Sequence, residues 1–104
     1  MTNILEKIVQ DKKESLIKIK KANSLNVLEN KIKTLSNCLD FKQSITKNKN
    51  VSLITEIKKA SPSAGVLVKD FNHINIAKMY IDNGATCLSV LTEEKHFLGK
   101  LDYI

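Results

Sequence analysis

The stretch from Val51 to Ile57 reads VSLITEI, and the fold class turns on it. It is short, rich in β-branched residues and nearly continuous in apolar character. That is the pattern of a strand buried on both faces, as in a parallel sheet. Downstream, the loop Ser61 to Gly65 (SPSAG) carries the only proline, Pro62. From Asn72 to Asn83, the apolar residues Ile74, Ala77, Met79, Tyr80 and Ile81 recur near helical spacing. The pattern stops at Gly84, a residue suited to the position that follows a helix. Thr86 to Leu91 (TCLSVL) then predicts a second buried strand. Strand, loop, helix and strand in that order form one βαβ unit, whose crossover is expected to be right-handed. Lys100 to Ile104 begins a further helical pattern.

Upstream, the first fifty residues predict helices. From Asn3 to about Lys21, the residues Ile4, Leu5, Ile8, Val9, Leu16, Ile17 and Ile19 fall near a 3.6 period, interrupted by Lys12 and Lys13. Asn3 is placed to cap this helix, with Glu6 three residues later in a loose capping arrangement. A second amphipathic piece runs from about Leu25 to Leu35. Asp40-Phe41 opens a third, short one reaching Ile45. Polar residues Thr46 to Asn50 (TKNKN) then punctuate the chain. The expected organisation is a helical extension over residues 1–50 and a β/α part over 51–104.

One hundred and four residues allow a single small domain. A closed eight-stranded parallel barrel needs roughly 250. Two parallel strands and one helix leave both sheet edges open and one face bare, so the chain is expected to be the front part of a longer α/β protein. No uncharged apolar stretch approaches the roughly 20 residues that span a bilayer, and the charged opening MTNILEKIVQDKK does not resemble a secretory signal.

Residues 1–50 hold eleven Lys against five acids, and residues 51–104 hold six against six, so the formal surplus of +6 lies wholly in the first half. A basic half raises the question of a nucleic-acid or anionic-surface partner. The chain contains no Arg, the residue whose planar fork reads guanine and phosphate, and the lysines fit solvated helix faces. No nucleic-acid or membrane partner is expected. Cys38 and Cys87 are far apart and have no neighbouring His at metal-ligand spacing, so the reading is two free thiols in a reducing, cytoplasmic setting and no metal site. Within the apolar ATCLSVL run, Cys87 fits a small buried hydrophobe.

The chemistry is expected where the two strands end. Glu56 and Lys58 stand two residues apart at the end of the first strand, so alternation points them to one side. In parallel α/β proteins ligands bind at the carboxyl ends of strands. An acid and a base side by side there can bind an anion, set each other's protonation, or move protons. As a solvated ion pair they contribute little. Two charges on the inward face of an apolar strand are nonetheless costly without a purpose. The second strand runs into Thr92, Glu93, Glu94, Lys95, His96, Phe97 and Gly99. Phe97 in that polar loop can stack on a flat ligand or simply anchor the loop. His96 and His73 fit ordinary solvated histidines better than catalytic bases.

The segment Ile54-Thr55-Glu56-Ile57-Lys58-Lys59-Ala60-Ser61-Pro62-Ser63 resembles the first strand and loop of the indole-3-glycerol phosphate synthase family. Cys87 to Gly99 (CLSVLTEEKHFLG) resembles its second strand and loop. The opening Ile4-Leu5-Glu6-Lys7-Ile8-Val9, followed by Lys12 and Lys13, is similar to the family's extra N-terminal helix. Asp70-Phe71, Ile76-Ala77, Tyr80 and Gly84-Ala85 fit its first barrel helix. The paired motifs, in order and correctly spaced, are specific, and only about Asn23 to Asn50 falls outside the likeness.

The resemblance implies the N-terminal portion of a (β/α)8 TIM barrel, with extra N-terminal helices and the first βαβ unit. The implied enzyme of tryptophan biosynthesis closes the indole ring of 1-(2-carboxyphenylamino)-1-deoxyribulose 5-phosphate, losing carbon dioxide and water, without metal or organic cofactor. Carried over by position, Glu56 would assist proton transfer and dehydration, and Lys58 would contact the anionic substrate. Ser61 and Pro62 would shape the loop over the substrate, and Phe97 would pack on its aromatic ring. The partner implied is a phosphorylated small molecule, with fusion to or complex with other tryptophan-pathway enzymes as a further expectation. A lysine, a glutamate, an asparagine and the main phosphate loops of the family belong to later strands, so the 104 residues are expected to be inactive alone. Ala64 stands where relatives often carry a basic residue. The competing reading is a stand-alone basic interaction module, a lysine-rich helical arm plus a βαβ remnant that binds a partner or nucleic acid.

Overall fold

Parallel pairing of Ile54–Ile57 (β1) with Cys87–Val90 (β4) forms the framework that the rest of the β/α part is hung on. The computed structural model describes residues 3–47 and 50–104. Asn48 and Lys49, in the middle of the expected polar punctuation, lie outside the described residues. The chain divides into two compact units, Met1–Cys38 and Leu39–Ile104.

The first unit is helical. Helix α1 (Ile4–Ala22) starts where Asn3 Oδ1 accepts the Glu6 backbone N–H at 2.9 Å, satisfying one of the donors every helix start leaves over. Lys12 and Lys13 do not break it. A Lys7–Asp11 ion pair at 3.0 Å and a Gln10–Glu14 hydrogen bond at 2.9 Å, both one turn apart, knit the polar face around them. Helix α2 (Leu25–Ile32) is capped in the same way by Ser24, whose hydroxyl accepts from Val27 N. Its last expected residues, up to Leu35, are turns: Thr34 N donates to the Lys31 carbonyl and Leu35 N to that of Ile32.

The second unit begins with α3 (Phe41–Thr46), capped by Asp40, which accepts from Gln43 N at 2.8 Å. The sequence-based division ends the helical part at residue 50. In the structure α3 groups instead with the β/α unit, since it lies beside β4 and Ser52, just before β1, donates its hydroxyl to the Ile45 carbonyl at 2.8 Å.

Between the paired strands the chain makes a hairpin and then a helix. Ala60–Ser61 (β2) pairs antiparallel with Gly65–Val66 (β3), where Gly65 takes a positive φ of 68°. This hairpin was expected only as a loop, because two-residue strands are too short to show a period of two. Helix α4 (His73–Asp82) is capped by Asn72, which accepts from Asn75 N. It ends in paired closing bonds around Gly84 (φ 96°), from Gly84 N to the Ile81 carbonyl and from Ala85 N to that of Tyr80. The chain then enters β4 through Thr86, whose N–H donates to the Leu53 carbonyl while its hydroxyl accepts from Leu53 N.

In the β1–β4 ladder, Glu56 pairs with Ser89 and Ile57 with Val90, and Leu91 N still donates to the Ile57 carbonyl beyond the last strand pair. Tyr80 ties α4 to β1 by donating its hydroxyl to the Glu56 carbonyl at 2.9 Å. Ile57 and Ala60, each 2% exposed, are the buried apolar centre. The expectation that β1 is buried on both faces is not met: Ile54 is 52% exposed, and among the described residues β1 pairs with β4 alone. The expected terminal helix is a single 3₁₀ turn, Leu101–Tyr103, and Tyr103 stacks on His73 at 4.5 Å between ring centroids. Among the described residues no helix is long and apolar enough to cross a membrane.

With Leu53, Ile54, Val66, Leu67, Ile74 and Ile81 all exposed, the 104-residue chain on its own is expected to self-associate and to melt without a sharp transition. Sedimentation velocity with thermal unfolding checks this; a monomer with one cooperative transition would contradict it.

Candidate active site

Strand alternation puts buried Ile57 on one face of β1 and Glu56 and Lys58 on the other. The two charged side chains meet there, with Lys58 Nζ 2.7 Å from Glu56 Oε1. Their side chains are 30% and 47% exposed, so the contact itself contributes little to stability. Its consequence is local organisation: a cation and an anion are fixed at the end of the strand, ready to face a ligand.

The loop after β4 brings a third group to the same place. The Phe97 ring centroid lies 5.9 Å from Lys58 Nζ, at the outer range of a cation–π contact. The structure thus brings Glu56, Lys58 and Phe97 into one cluster built from the ends of two adjacent parallel strands. Ser61 and Pro62 sit on the β2–β3 hairpin that follows Lys58 in the chain. There the Ser61 hydroxyl accepts from Ala64 N at 3.1 Å and lies 3.4 Å from the Ser63 hydroxyl. The serine therefore stiffens the hairpin tip.

The loop that carries Phe97 is held by a residue that sequence reasoning passed over. Glu93 Oε1 accepts the Lys95 N–H at 3.1 Å, and Oε2 accepts those of His96 at 2.7 Å and Phe97 at 3.0 Å. Burial of the carboxyl pushes its pKa up. The backbone donors of His96, Phe97 and Lys95, helped by the neighbouring imidazole of His96, outweigh that and hold it below the ordinary glutamate value. The loop then reverses through Leu98, whose φ of 53° is the left-handed conformation that costs a side-chain-bearing residue about 1 kcal/mol. That reversal lets Gly99 N donate to the Glu93 carbonyl at 2.7 Å. Gly99 is buried against the end of β4, where a Cβ would collide with the Leu91 carbonyl oxygen and lie 2.9 Å from the Thr92 carbonyl carbon. The traces in the sequence are an acid at 93 and a glycine at 99, since the backbone donors between them are common to every residue but proline. Read one residue at a time, each of those features is ordinary.

Chemically, the cluster suits a planar anionic ligand: an ammonium for its charge, an aromatic ring for its flat face, and a carboxylate to accept or return a proton. Among the described residues no group of three or more His, Cys, Asp or Glu side chains is arranged to hold a metal ion.

A model of the indole-3-glycerol phosphate synthase family matches residues 5–104, nearly the full chain. The chain belongs to the indole-3-glycerol phosphate synthase family. It is 47% identical over 102 residues to the family's member in Clostridium acetobutylicum, an alignment covering 97% of this chain and 38% of that protein. It is also 45% identical over 101 residues to the member in Desulforamulus reducens, covering 97% and 38%. The Legionella pneumophila member is 44% identical over 104 residues, covering all of this chain and 40% of its own length. The chain thus spans about two-fifths of the length of the curated family members it matches.

The lowered pKa of Glu93 links the loop to pH. Since the folded loop favours the ionised carboxylate, its order is complete above the ordinary glutamate pKa and is lost as pH falls through the lowered value. Amide exchange at Lys95, His96 and Phe97 is expected to accelerate only below that point, with the β1–β4 ladder still protected. Equal loss of protection in loop and ladder would show that Glu93 does not govern the loop.

Proposed function

We propose that this chain supplies the front of a (β/α)8 barrel that works as an indole-3-glycerol phosphate synthase in tryptophan biosynthesis. The reaction takes 1-(2-carboxyphenylamino)-1-deoxyribulose 5-phosphate to indole-3-glycerol phosphate, carbon dioxide and water. The observation that carries this reading is the Glu56–Lys58 pair with the Phe97 ring beside it, at the carboxyl ends of paired strands in a chain matched to the family over residues 5–104.

In this reading Lys58 attracts the substrate's carboxylate or the phosphate side and polarises the reacting centre, because a fixed cation stabilises negative charge better than mobile water does. Glu56, held against Lys58, moves protons during ring closure and dehydration. Phe97 offers its face to the anthranilate-derived ring, and Ser61 and Pro62 shape the hairpin over it. The chemistry needs no metal or organic cofactor. The phosphate is gripped chiefly by loops after later barrel strands, the usual place in such barrels. The cytoplasm is the fitting compartment, and fusion to or complex with other enzymes of the same pathway is a compatible arrangement.

The test joins the chain after Ile104 to the remaining length of the Clostridium acetobutylicum relative and follows indole fluorescence on the substrate. Turnover is expected from this chimera. A chimera that melts cooperatively yet leaves the substrate unchanged would refute the assignment.

Two substitutions in the chimera separate the roles. Lys58→Ala is expected to lower kcat/KM at least 10²-fold, about 2.7 kcal/mol, whereas Lys59→Ala, on the opposite phase of the strand, changes it only a few-fold. Equal losses at the two positions would mean that the strand phase does not select the functional lysine. Glu56→Gln is expected to lower kcat and alter its pH profile while KM stays within a few-fold. Near-normal turnover would reduce Glu56 to a structural partner of Lys58.

A further inference from the structure

Glu93 has no part in the chemistry proposed above, yet it holds the loop on which Phe97 depends. We infer that Glu93 is a positioning residue: by gathering the backbone N–H groups of Lys95, His96 and Phe97 on one carboxylate, it keeps the Phe97 ring beside the Lys58 ammonium and so sets affinity for the aromatic half of the substrate. The inference rests on the functional reading just given and deepens it.

Three successive donors converge on the two carboxylate oxygens, at 3.1 Å from Lys95, 2.7 Å from His96 and 3.0 Å from Phe97. Hydrogen bonds to an ionised acceptor are about twice as strong as neutral ones. Glu93 also clamps the loop through its main chain, since its carbonyl accepts Gly99 N at 2.7 Å. Phe97 is the last of the three side-chain-bound donors, so its backbone cannot swing outward without breaking a bond to Glu93. The ring 5.9 Å from Lys58 Nζ is thereby presented before any ligand arrives. A ring held in place loses little freedom when a flat ligand stacks on it, which favours bound substrate and transition state alike. An amide at position 93 offers one acceptor oxygen, and its NH₂ would face a backbone donor. Glu93→Gln therefore keeps the size and removes the clamp, while Glu93→Asp keeps the carboxylate one methylene shorter.

The experiment uses the chimera described above, with steady-state kinetics and amide exchange measured on the same preparations. Glu93→Gln is expected to raise KM about tenfold with kcat within about threefold, the split a lost uniform-binding contact gives. Exchange at Lys95, His96 and Phe97 should quicken about tenfold, the mark of local opening. Glu93→Asp should recover most of both effects. Added to Phe97→Ala, Glu93→Gln should cost little more, because the two act through one ring. Additive losses, a fall in kcat at unchanged KM, or unchanged exchange at the three amides would each overturn the inference. If the unsubstituted chimera folds but does not turn over the substrate, the functional reading fails and the affinity role falls with it; exchange then decides the clamp alone, quickened amides in Glu93→Gln upholding it and unchanged amides overturning it.

Discussion

Parallel pairing between residues 54–57 and 87–90 is the constraint on which the β/α part rests. Two strands that run the same way cannot be joined by a tight turn, so the chain between them must cross from one end of the sheet to the other. Here the hairpin and α4 make that journey, and each junction is closed by a specific device. Asn72 starts the helix, the reversal at Gly84 stops it, and Thr86 docks on Leu53 to set the entry of β4. The register that results places Glu56 opposite Ser89 and carries the ladder on to Leu91. A slip by one residue would turn Glu56 and Lys58 toward the helix layer and Ile57 toward the open face.

The same pairing explains why the cluster forms at one end of the sheet. Both strands finish on the same side, so the residues following them, Lys58 and the loop from Thr92 to Gly99, are neighbours although far apart in sequence. Within that arrangement the structure separates two tasks. Glu56, Lys58 and Phe97 present charge and a flat surface, whereas Glu93 and Gly99 shape the backbone that carries the ring. The second pair makes no call on solvent-facing chemistry. Its contribution is to restrict where Phe97 can be, the part of a binding site most easily lost by small displacements.

Much of this framework was legible from local signals that agree with one another. The apolar runs at Val51 to Ile57 and Thr86 to Leu91 contain the paired strands, and the cap at Asn3 and the stop at Gly84 fall where hydrogen bonds place them. Alternation alone brought Glu56 and Lys58 to one side. What escaped the sequence depended on contacts without a periodic signature. The β2–β3 hairpin is too short to alternate, the alliance of α3 with the β/α unit comes from its place beside β4 and a hydrogen bond from Ser52, and the exposure of Ile54 depends on what covers that face of β1. Glu93 was hidden for a different reason. A carboxylate that binds backbone N–H groups leaves no mark on the identities of the residues donating them, and only the neighbouring Gly99 hints that the chain passes close to itself.

The loop from Glu93 to Gly99 is, in effect, a small ring closed by hydrogen bonds at its neck. A closed ring moves as one body, so a change in its length would be felt at once by the aromatic side chain, whereas a change of side chain on its outer rim would not. Exposed Glu94 occupies that rim. It is therefore a natural point of attachment for a fluorescent or spin reporter, one that would follow the motion of the loop without touching the groups it carries.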